Sequence, residues 1–298
     1  MASLLEIRKK IASVKNTKKI TKAMQLVSTS KMKHFQELAM ASKNYIQLLL
    51  EVLGKTLSSE EESSFTTKRE KGKKLFILYS SDKGLCGSMN NHLFKGLINS
   101  DAWMNTPTNE RELITIGKKA SDMARIAGFD TIAEWKYLPE KFEMTDVIEM
   151  IAEIVEIWES KSVSEIYFVV PYFKNAFTFY PKCKRVLPFD AEMASTYSKA
   201  GDEVESFSDT KSGGYMFYEP DLIRVKDVLY TQIITGIFAE SLNQLKATEY
   251  SSRMMAMQNA TESAQKMIES KTLVYNKIRQ QMITQQISEI VNAAEAIL

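Results

Sequence analysis

The 298-residue chain is 44% hydrophobic and 26% charged, values typical of a protein that is soluble in water and buries a core. Its two cysteines, Cys86 and Cys183, form no Cys-x-x-Cys pair, so neither a disulfide framework nor a zinc site is expected. The formal net charge of +2 conceals a local excess, because residues 1–57 hold eleven Lys or Arg against three Glu.

Residues 1–57 are predicted to form one long helix, since residues 1–53 contain neither Gly nor Pro. Apolar residues recur mostly every three or four positions along it: Leu4, Ile7, Ile11, Val14, Ile20, Met24, Val27, Met32, Phe35 and Leu38. Residues 7–36 carry nine Lys or Arg and no acidic residue, whereas a helix that faces only water usually mixes both signs of charge. We therefore expect this helix to meet an acidic partner.

The middle of the chain, residues 74–215, is predicted to form a Rossmann-like α/β domain with a largely parallel sheet, after a linker over 58–73. Apolar, aromatic and β-branched runs predict strands at 74–80, 112–117, 165–173 and 177–189. Helical patterns follow or separate these strands at 89–98, 118–127 and 143–160. The polar stretch 195–215 is predicted to be a surface loop.

Two segments superficially resemble ligand-binding motifs. LLEVLGKT, residues 49–56, ends like a phosphate-binding loop, but Leu49 stands where that loop needs Gly. SDKGLCGSMN, residues 81–90, lies between a strand and a helix, where α/β proteins bind ligands. Its Gly84 and Gly87 lack the third glycine of a dinucleotide fingerprint, so a tight turn is expected instead.

No group of side chains in the sequence predicts catalysis. His34 and His92 are the two histidines, and neither has an evident carboxylate partner with which to activate Cys86. The acidic residues of the 143–160 helix recur at spacings of three and four, which is typical of one solvated face. We expect no catalytic residue, no cofactor and no metal.

Residues 216–298 are predicted to form a second long helix, since residues 237–298 contain neither Gly nor Pro. Its apolar residues also form a narrow seam: Phe238, Leu242, Leu245, Met257, Ala260, Ala264, Met267, Val274, Ile278, Met282, Ile287, Ile290 and Ala294. Narrow seams are typical of coiled coils, so the terminal helices are predicted to pair antiparallel. The alternative is two separate amphipathic helices that lie on the central domain.

Nucleic acid is an alternative partner for the basic helix. Against it, the stretch 7–36 carries a full apolar stripe, a single aromatic residue of the Phe, Tyr and Trp type, and eight lysines to one arginine. Phosphate-binding surfaces usually add arginine forks or aromatic stacking platforms. The composition therefore favours a protein partner.

Three segments together resemble the γ subunits of F-type ATP synthases: EIRKKIASVKNTKKITKAMQLVSTSKM (6–32), SDKGLCGSMN (81–90), and RMMAMQNATESA (253–264) followed by YNKIRQQMITQQISEIVNAAEAIL (275–298). The resemblance implies that the terminal helices form an antiparallel coiled coil inside a ring of three α and three β subunits. It also implies that the α/β domain contacts the ε subunit and the membrane c-ring. This chain would then be a non-catalytic rotor, because nucleotide chemistry in the family belongs to the β subunits.

The resemblance also indicates which residues contact the ring. Each β subunit of the family carries an acidic loop, usually containing DELSEED, that bears on γ, and these loops would be the acidic partner. The positions that match the family's contact segments are Lys18, Lys19, Lys22, Met24, Arg253, Arg279, Gln280 and Thr284.

The chain departs from the family's usual pattern at Gln286, where Glu is usual, and at Ala293, where Gly is usual. These departures leave open a specialised F1-like motor that is not coupled to proton pumping, and a generic coiled-coil adaptor is the remaining alternative. The sequence shows neither a secretory signal nor a membrane span. The resemblance implies a location at the cytoplasmic face of the cell membrane, as a peripheral part of a complex.

Overall fold

The computed structural model describes residues 4–56, 63–140, 142–160, 162–190, 193, 197, 219 and 221–295. Its two longest helices lie in the two tracts that are poor in helix breakers: α1 spans Leu4–Thr56 and the last helix, α6, spans Leu222–Glu295. The predicted loop at 195–215 lies outside the described residues except for Tyr197, and so do residues 58–62 of the predicted linker.

Between these two helices in the sequence, five strands form one sheet: β1 Lys73–Tyr79, β2 Arg111–Ile116, β3 Ala133–Trp135, β4 Val163–Asn175 and β5 Thr178–Leu187. Their spatial order is β3-β2-β1-β4-β5. All neighbouring pairs are parallel except the β4–β5 hairpin, which is antiparallel. The predicted Rossmann-like, largely parallel sheet is thus confirmed.

Among the described residues, four α-helices lie in the connections between the strands: α2 Met89–Ile98, α3 Asp101–Met104, α4 Lys118–Ile126 and α5 Met144–Glu159. The sequence pattern missed α3 and β3, which have four and three residues, because such short elements show no periodicity. Strand β1 is buried from Leu75 to Tyr79, as expected for the middle of a parallel sheet that is covered on both faces.

The chain divides into two compact units, which cut across the long helices. We call the first the coil unit; its described residues are 4–30 of α1 and 253–295 of α6. We call the second the sheet unit; it comprises the described residues of Lys31–Ser252, including the five strands.

In the coil unit the two helices run antiparallel. The hydroxyl oxygens of Thr21 and Thr261 lie 2.7 Å apart, and the Lys18 ammonium donates to Gln265 Oε1 at 2.6 Å. Continued at the same register, Leu4 lies level with about residue 279 of α6. The predicted antiparallel coiled coil is confirmed.

The seam of α1 differs from the predicted stripe. Ile20 and Val27 were expected to face inward, yet their side chains are 60% and 53% exposed. The inward positions alternate strictly by four and three: Ile7, Ile11, Val14, Lys18, Thr21, Gln25 and Ser28. An unbroken period of 3.5 residues is what keeps one face of a helix against its partner, so it overrides the apolar character of Ile20 and Val27.

In the sheet unit the two long helices approach each other closely at Gly236. A Cβ atom built there would lie 3.0 Å from Ile46 Cγ1. Nearby, Ile233, Ile237 and Phe238 of α6 are completely buried. The N-terminal part of α6 therefore belongs to the core of the domain and does not merely pack on its outside.

Candidate subunit-contact surface

The predicted lysines of α1 fall into two classes. Lys19 and Lys22 are exposed, and the ammonium of Lys22 donates only to the nearby Gln25 Oε1, at 3.2 Å, among the described contacts. Lys18 is half-buried because its hydrogen bond to Gln265 ties it into the seam. Lys19 and Lys22 are thus available to a partner, whereas Lys18 already helps to join the two helices.

Exposed apolar side chains accompany these lysines. Leu26 and Val27 are exposed one turn beyond the half-buried Met24, and Ile20 lies between the two exposed lysines. On the other helix, Leu273 is 73% exposed. Exposed apolar side chains beside exposed lysines are typical of interaction surfaces. The outward face of the coil unit is thus both cationic and apolar.

Sequence reasoning missed the outward position of Ile20, Val27, Met267 and Val274, because it placed them all in the seam. For Ile20 and Val27, the signal is the strict four-three alternation along α1 that starts at Ile7. Followed from there, the alternation puts the small polar residues Thr21 and Ser28 inside.

The predicted residues of α6 lie at different levels of the coil unit. Arg253 is only 7% exposed and is engaged in contacts within the protein. Arg279, Gln280 and Thr284 are exposed and lie about 39 Å or more farther along the helix at 1.5 Å per residue. The eight predicted residues therefore form no single cluster, and Arg253 presents little surface to a partner.

The end of α6 has no cover from the described part of the chain. Residues 281–294 are all exposed, and they include Ile283, Ile287, Ile290 and Val291. We call residues 281–295 the tail. It lies beyond the level of Leu4, so α1 offers it no packing face over the described residues. An isolated helix with this much exposed apolar surface needs a partner.

Comparison with known proteins identifies the family. A family model described as ATP synthase matches residues 3–297. The ATP synthase gamma chain of Nitrosococcus oceani is 33% identical over 299 residues, with 100% of both chains covered. The chain belongs to the ATP synthase γ-chain family. A further γ chain, from Buchnera aphidicola subsp. Acyrthosiphon pisum, is 32% identical over 302 residues and covers 100% of this chain and 99% of its own.

Solved structures share the fold of this γ chain. A chain in the OSCP/F1/c-ring structure of Euglena gracilis mitochondrial ATP synthase has a TM-score of 0.67 at 17% identity, with 99% of this chain and 94% of that chain covered. A chain of the Tetrahymena thermophila mitochondrial central stalk and c-ring has a TM-score of 0.57 at 21% identity, with 81% and 99% covered. These similarities establish the architecture of long terminal helices around a central sheet.

The SDKGLCGSMN segment, residues 81–90, forms a tight, hydrogen-bonded turn in this chain. Asp82 accepts hydrogen bonds from the backbone amides of Lys118, Tyr137 and Leu138 at 2.8–2.9 Å. Asn90 accepts from the Ser81 amide at 3.0 Å and donates to the Ser81 hydroxyl at 2.9 Å. The segment therefore anchors the loops at one end of the sheet, in agreement with the turn predicted from its two glycines.

The remaining motif-like segments have structural roles in the γ chain. Residues 49–56 are helical and complete α1, so they form no phosphate-binding loop. Cys86 is buried. Among the described residues, no group of three or more His, Cys, Asp or Glu could hold a metal ion. Likewise, no described helix combines the length and the apolarity that crossing a bilayer requires.

Proposed function

We propose that this γ chain is the non-catalytic central shaft of an ATP synthase, turning inside a ring of α and β subunits and coupling that rotation to proton transport through a c-ring. The observation that carries the proposal is the outward face of the coil unit, where exposed lysines and exposed apolar side chains occur together. Such a surface suits a partner that is partly acidic and partly apolar.

The exposed lysines are proposed to meet the acidic loops of the β subunits. Lys19 and Lys22 project from a stretch without acidic residues, so no neighbour on α1 between residues 7 and 36 neutralises them. A lysine ammonium is a point charge on a flexible stem. It tolerates a change of angle between shaft and ring better than the fixed fork of an arginine. Lys18 would contribute by shaping the coil unit, since it is hydrogen-bonded within it, and Arg253 already has contacts within the protein.

The tail is proposed to act as a bearing inside the ring. Its exposed apolar residues would be covered by a sleeve of other subunits, and no Lys or Arg follows Arg279. An apolar contact has no preferred direction, whereas an ion pair would hold one rotational angle. Gln286 and Ala293, where the chain departs from the family pattern, both lie exposed on the tail and would act through this contact.

The sheet unit is proposed to contact an ε subunit and the c-ring, which would hold the chain peripherally at the cytoplasmic face of the membrane. The match over almost the whole chain favours this role over a generic coiled-coil adaptor. Catalysis is assigned to the β subunits. This chain alone is expected to hydrolyse no ATP and to bind none.

Reconstitution tests the proposal. The purified chain is mixed with α and β subunits of the same organism, and a bead attached to the sheet unit is followed while ATP is hydrolysed. We expect the chain to enter the ring with one copy per three β subunits and the bead to turn in one direction. A chain that fails to bind the ring, or stoichiometric ATP binding to the pure chain in calorimetry, would contradict the proposal.

A further inference from the structure

An ion pair between a partly exposed lysine and a buried glutamate joins the sheet to helix α6. Glu240 lies on the inner face of α6 and is only 4% exposed. The Lys184 ammonium, on the edge strand β5, lies 3.6 Å from Glu240 Oε2 and donates a hydrogen bond to the Tyr197 hydroxyl. Glu240 Oε1 accepts a hydrogen bond from Gln244 one turn along α6. We call Lys184, Tyr197 and Glu240 the lock cluster.

The Lys184 ammonium stays protonated at neutral pH. Burial by itself lowers the pKa of the Lys184 ammonium, but Tyr197 and Glu240 beside it outweigh burial and raise that pKa above its usual value. Glu240 Oε2 receives no hydrogen bond from the described residues. Lys184 is therefore the positive charge that balances this carboxylate.

Three elements meet at the lock cluster. Lys184 belongs to β5 and Glu240 to α6, while the backbone carbonyl of Tyr197 accepts a hydrogen bond from Gln47 of α1 at 3.1 Å. Beside Glu240, Tyr79 packs on Phe168 and Phe238 with ring centroids 5.8 Å apart. The lock cluster is thus a polar contact that the sheet shares with both long helices.

Close apolar packing sets the approximate angle of a helix on a sheet, and a polar contact can restrain the small movements that remain. Hydrophobic contact is non-directional, so the helix can rotate or slide by small amounts at little loss of buried area. Lys184 is held by Tyr197 as well as by Glu240, so its stem is less free than that of an exposed lysine. Moving the buried Glu240 carboxylate away from this ammonium leaves it without its compensating charge, which is unfavourable. Replacing such pairs by apolar residues often leaves stability unchanged, so stability alone does not explain the cluster.

We propose that the lock cluster is a torsional lock, which fixes the angle of α6 and α1 on the sheet so that torque passes between them without slip. The inference rests on the proposed role of the chain as a shaft. Lys184 and Glu240 are positioning residues in this scheme, since they act through the rigidity of the joint and touch no reacting group.

The test uses the chain reconstituted with its α and β subunits and a bead attached at Ile126→Cys, an exposed position on α4, in a Cys183→Ser background. The matched variant Lys184→Met/Glu240→Leu removes both charges. It should melt near the wild-type temperature, assemble, and hydrolyse ATP at the wild-type rate. The distribution of bead angles during each pause should become wider, because the joint between sheet and helix is softer.

Two further variants complete the test. Glu240→Gln is nearly isosteric and keeps a hydrogen-bond acceptor, so it should fold and should widen the angles less than the double variant. Lys73→Met/Glu112→Leu removes an ion pair at 2.9 Å between β1 and β2, away from α6, and should leave the width unchanged.

Unchanged angular widths in both the double variant and Glu240→Gln would overturn the lock. Failure of both to fold would also overturn it, by assigning the pair to stability. Absence of rotation in the wild type would instead refute the shaft itself, so the two proposals fail separately.

Discussion

Reversing the charge of the two exposed lysines tests whether the positive charge of α1 serves binding or the stability of the chain. We consider the variant Lys19→Glu/Lys22→Glu, which leaves Lys18 in place because Lys18 holds Gln265 across the seam. In the free chain, Lys19 and Lys22 belong to a run of like charges with Lys15 and Lys18. Like charges three or four residues apart repel by about 0.2–0.5 kcal/mol per pair. The free variant should therefore be as stable as the wild type or slightly more stable.

Binding to the ring should change in the opposite direction. An exposed ion pair contributes about 0.2–1 kcal/mol, and charge reversal replaces attraction by a repulsion of similar size. Taking about 1 kcal/mol per reversed residue, the two together weaken binding by about 2 kcal/mol, or about thirtyfold in Kd. The loss should shrink in 1 M salt, where the Debye length is about 3 Å.

The assay combines thermal unfolding of the free chain with a titration of the chain into α and β subunits at two salt concentrations. Lys68→Glu/Lys71→Glu makes the same charge change at exposed positions of the sheet unit and serves as the control. An equal loss of affinity in both variants, or a loss that salt does not reduce, would refute a specific contact of Lys19 and Lys22 with acidic loops.

Three other predictions follow from single features. Deleting residues 287–298 should weaken assembly with the ring and leave the direction of rotation unchanged. A protease should cut the tail in the free chain but not in the complex, and equal cleavage in both samples would contradict the proposed bearing. Asp82→Ala should lower the free energy of unfolding by about 2–4 kcal/mol, because it orphans three backbone amides, with Asp122→Ala as control. The hydrogen bond from Lys31 is the main cause that lowers the pKa of Glu140. The free energy that this pair contributes to folding should therefore be fully present above the usual carboxyl pKa of about 4.3, and it should be lost as pH falls through the lowered pKa. Because Glu140 is 54% exposed, Glu140→Gln should lose at most about 1 kcal/mol in urea unfolding at pH 7 and less at pH 3; an equal loss at both would disprove the link.

Much of the architecture follows from the sequence alone, because local signals specify it. The absence of Gly and Pro from residues 1–53 and 237–298 determines the two long helices, since these two residues interrupt helices most strongly. Alternating apolar runs and helical patterns determine the α/β order of the middle. The family itself follows from motifs at both ends of the chain.

The candidate contact surface follows from the sequence only in part. The one-signed stretch from residue 7 to 36 predicts an acidic partner because charge needs no fold to be counted. Which side of the helix carries Ile20 and Val27 depends on the register with α6, and that register is set by pairs such as Thr21 with Thr261. A stripe chosen by hydrophobicity alone turns these residues inward, where the structure turns them outward.

Only the tertiary structure decides which charges are available to a partner and which are engaged within the chain. Lys18 and Lys19 are neighbours of identical chemistry, yet one is tied to Gln265 and the other is exposed. Lys184 and Glu240 are separated by more than fifty residues and share no motif, so nothing local joins them. Composition and periodicity act along the chain, whereas burial and ion pairing act across it, and the lock cluster exists only because the fold brings β5 against α6.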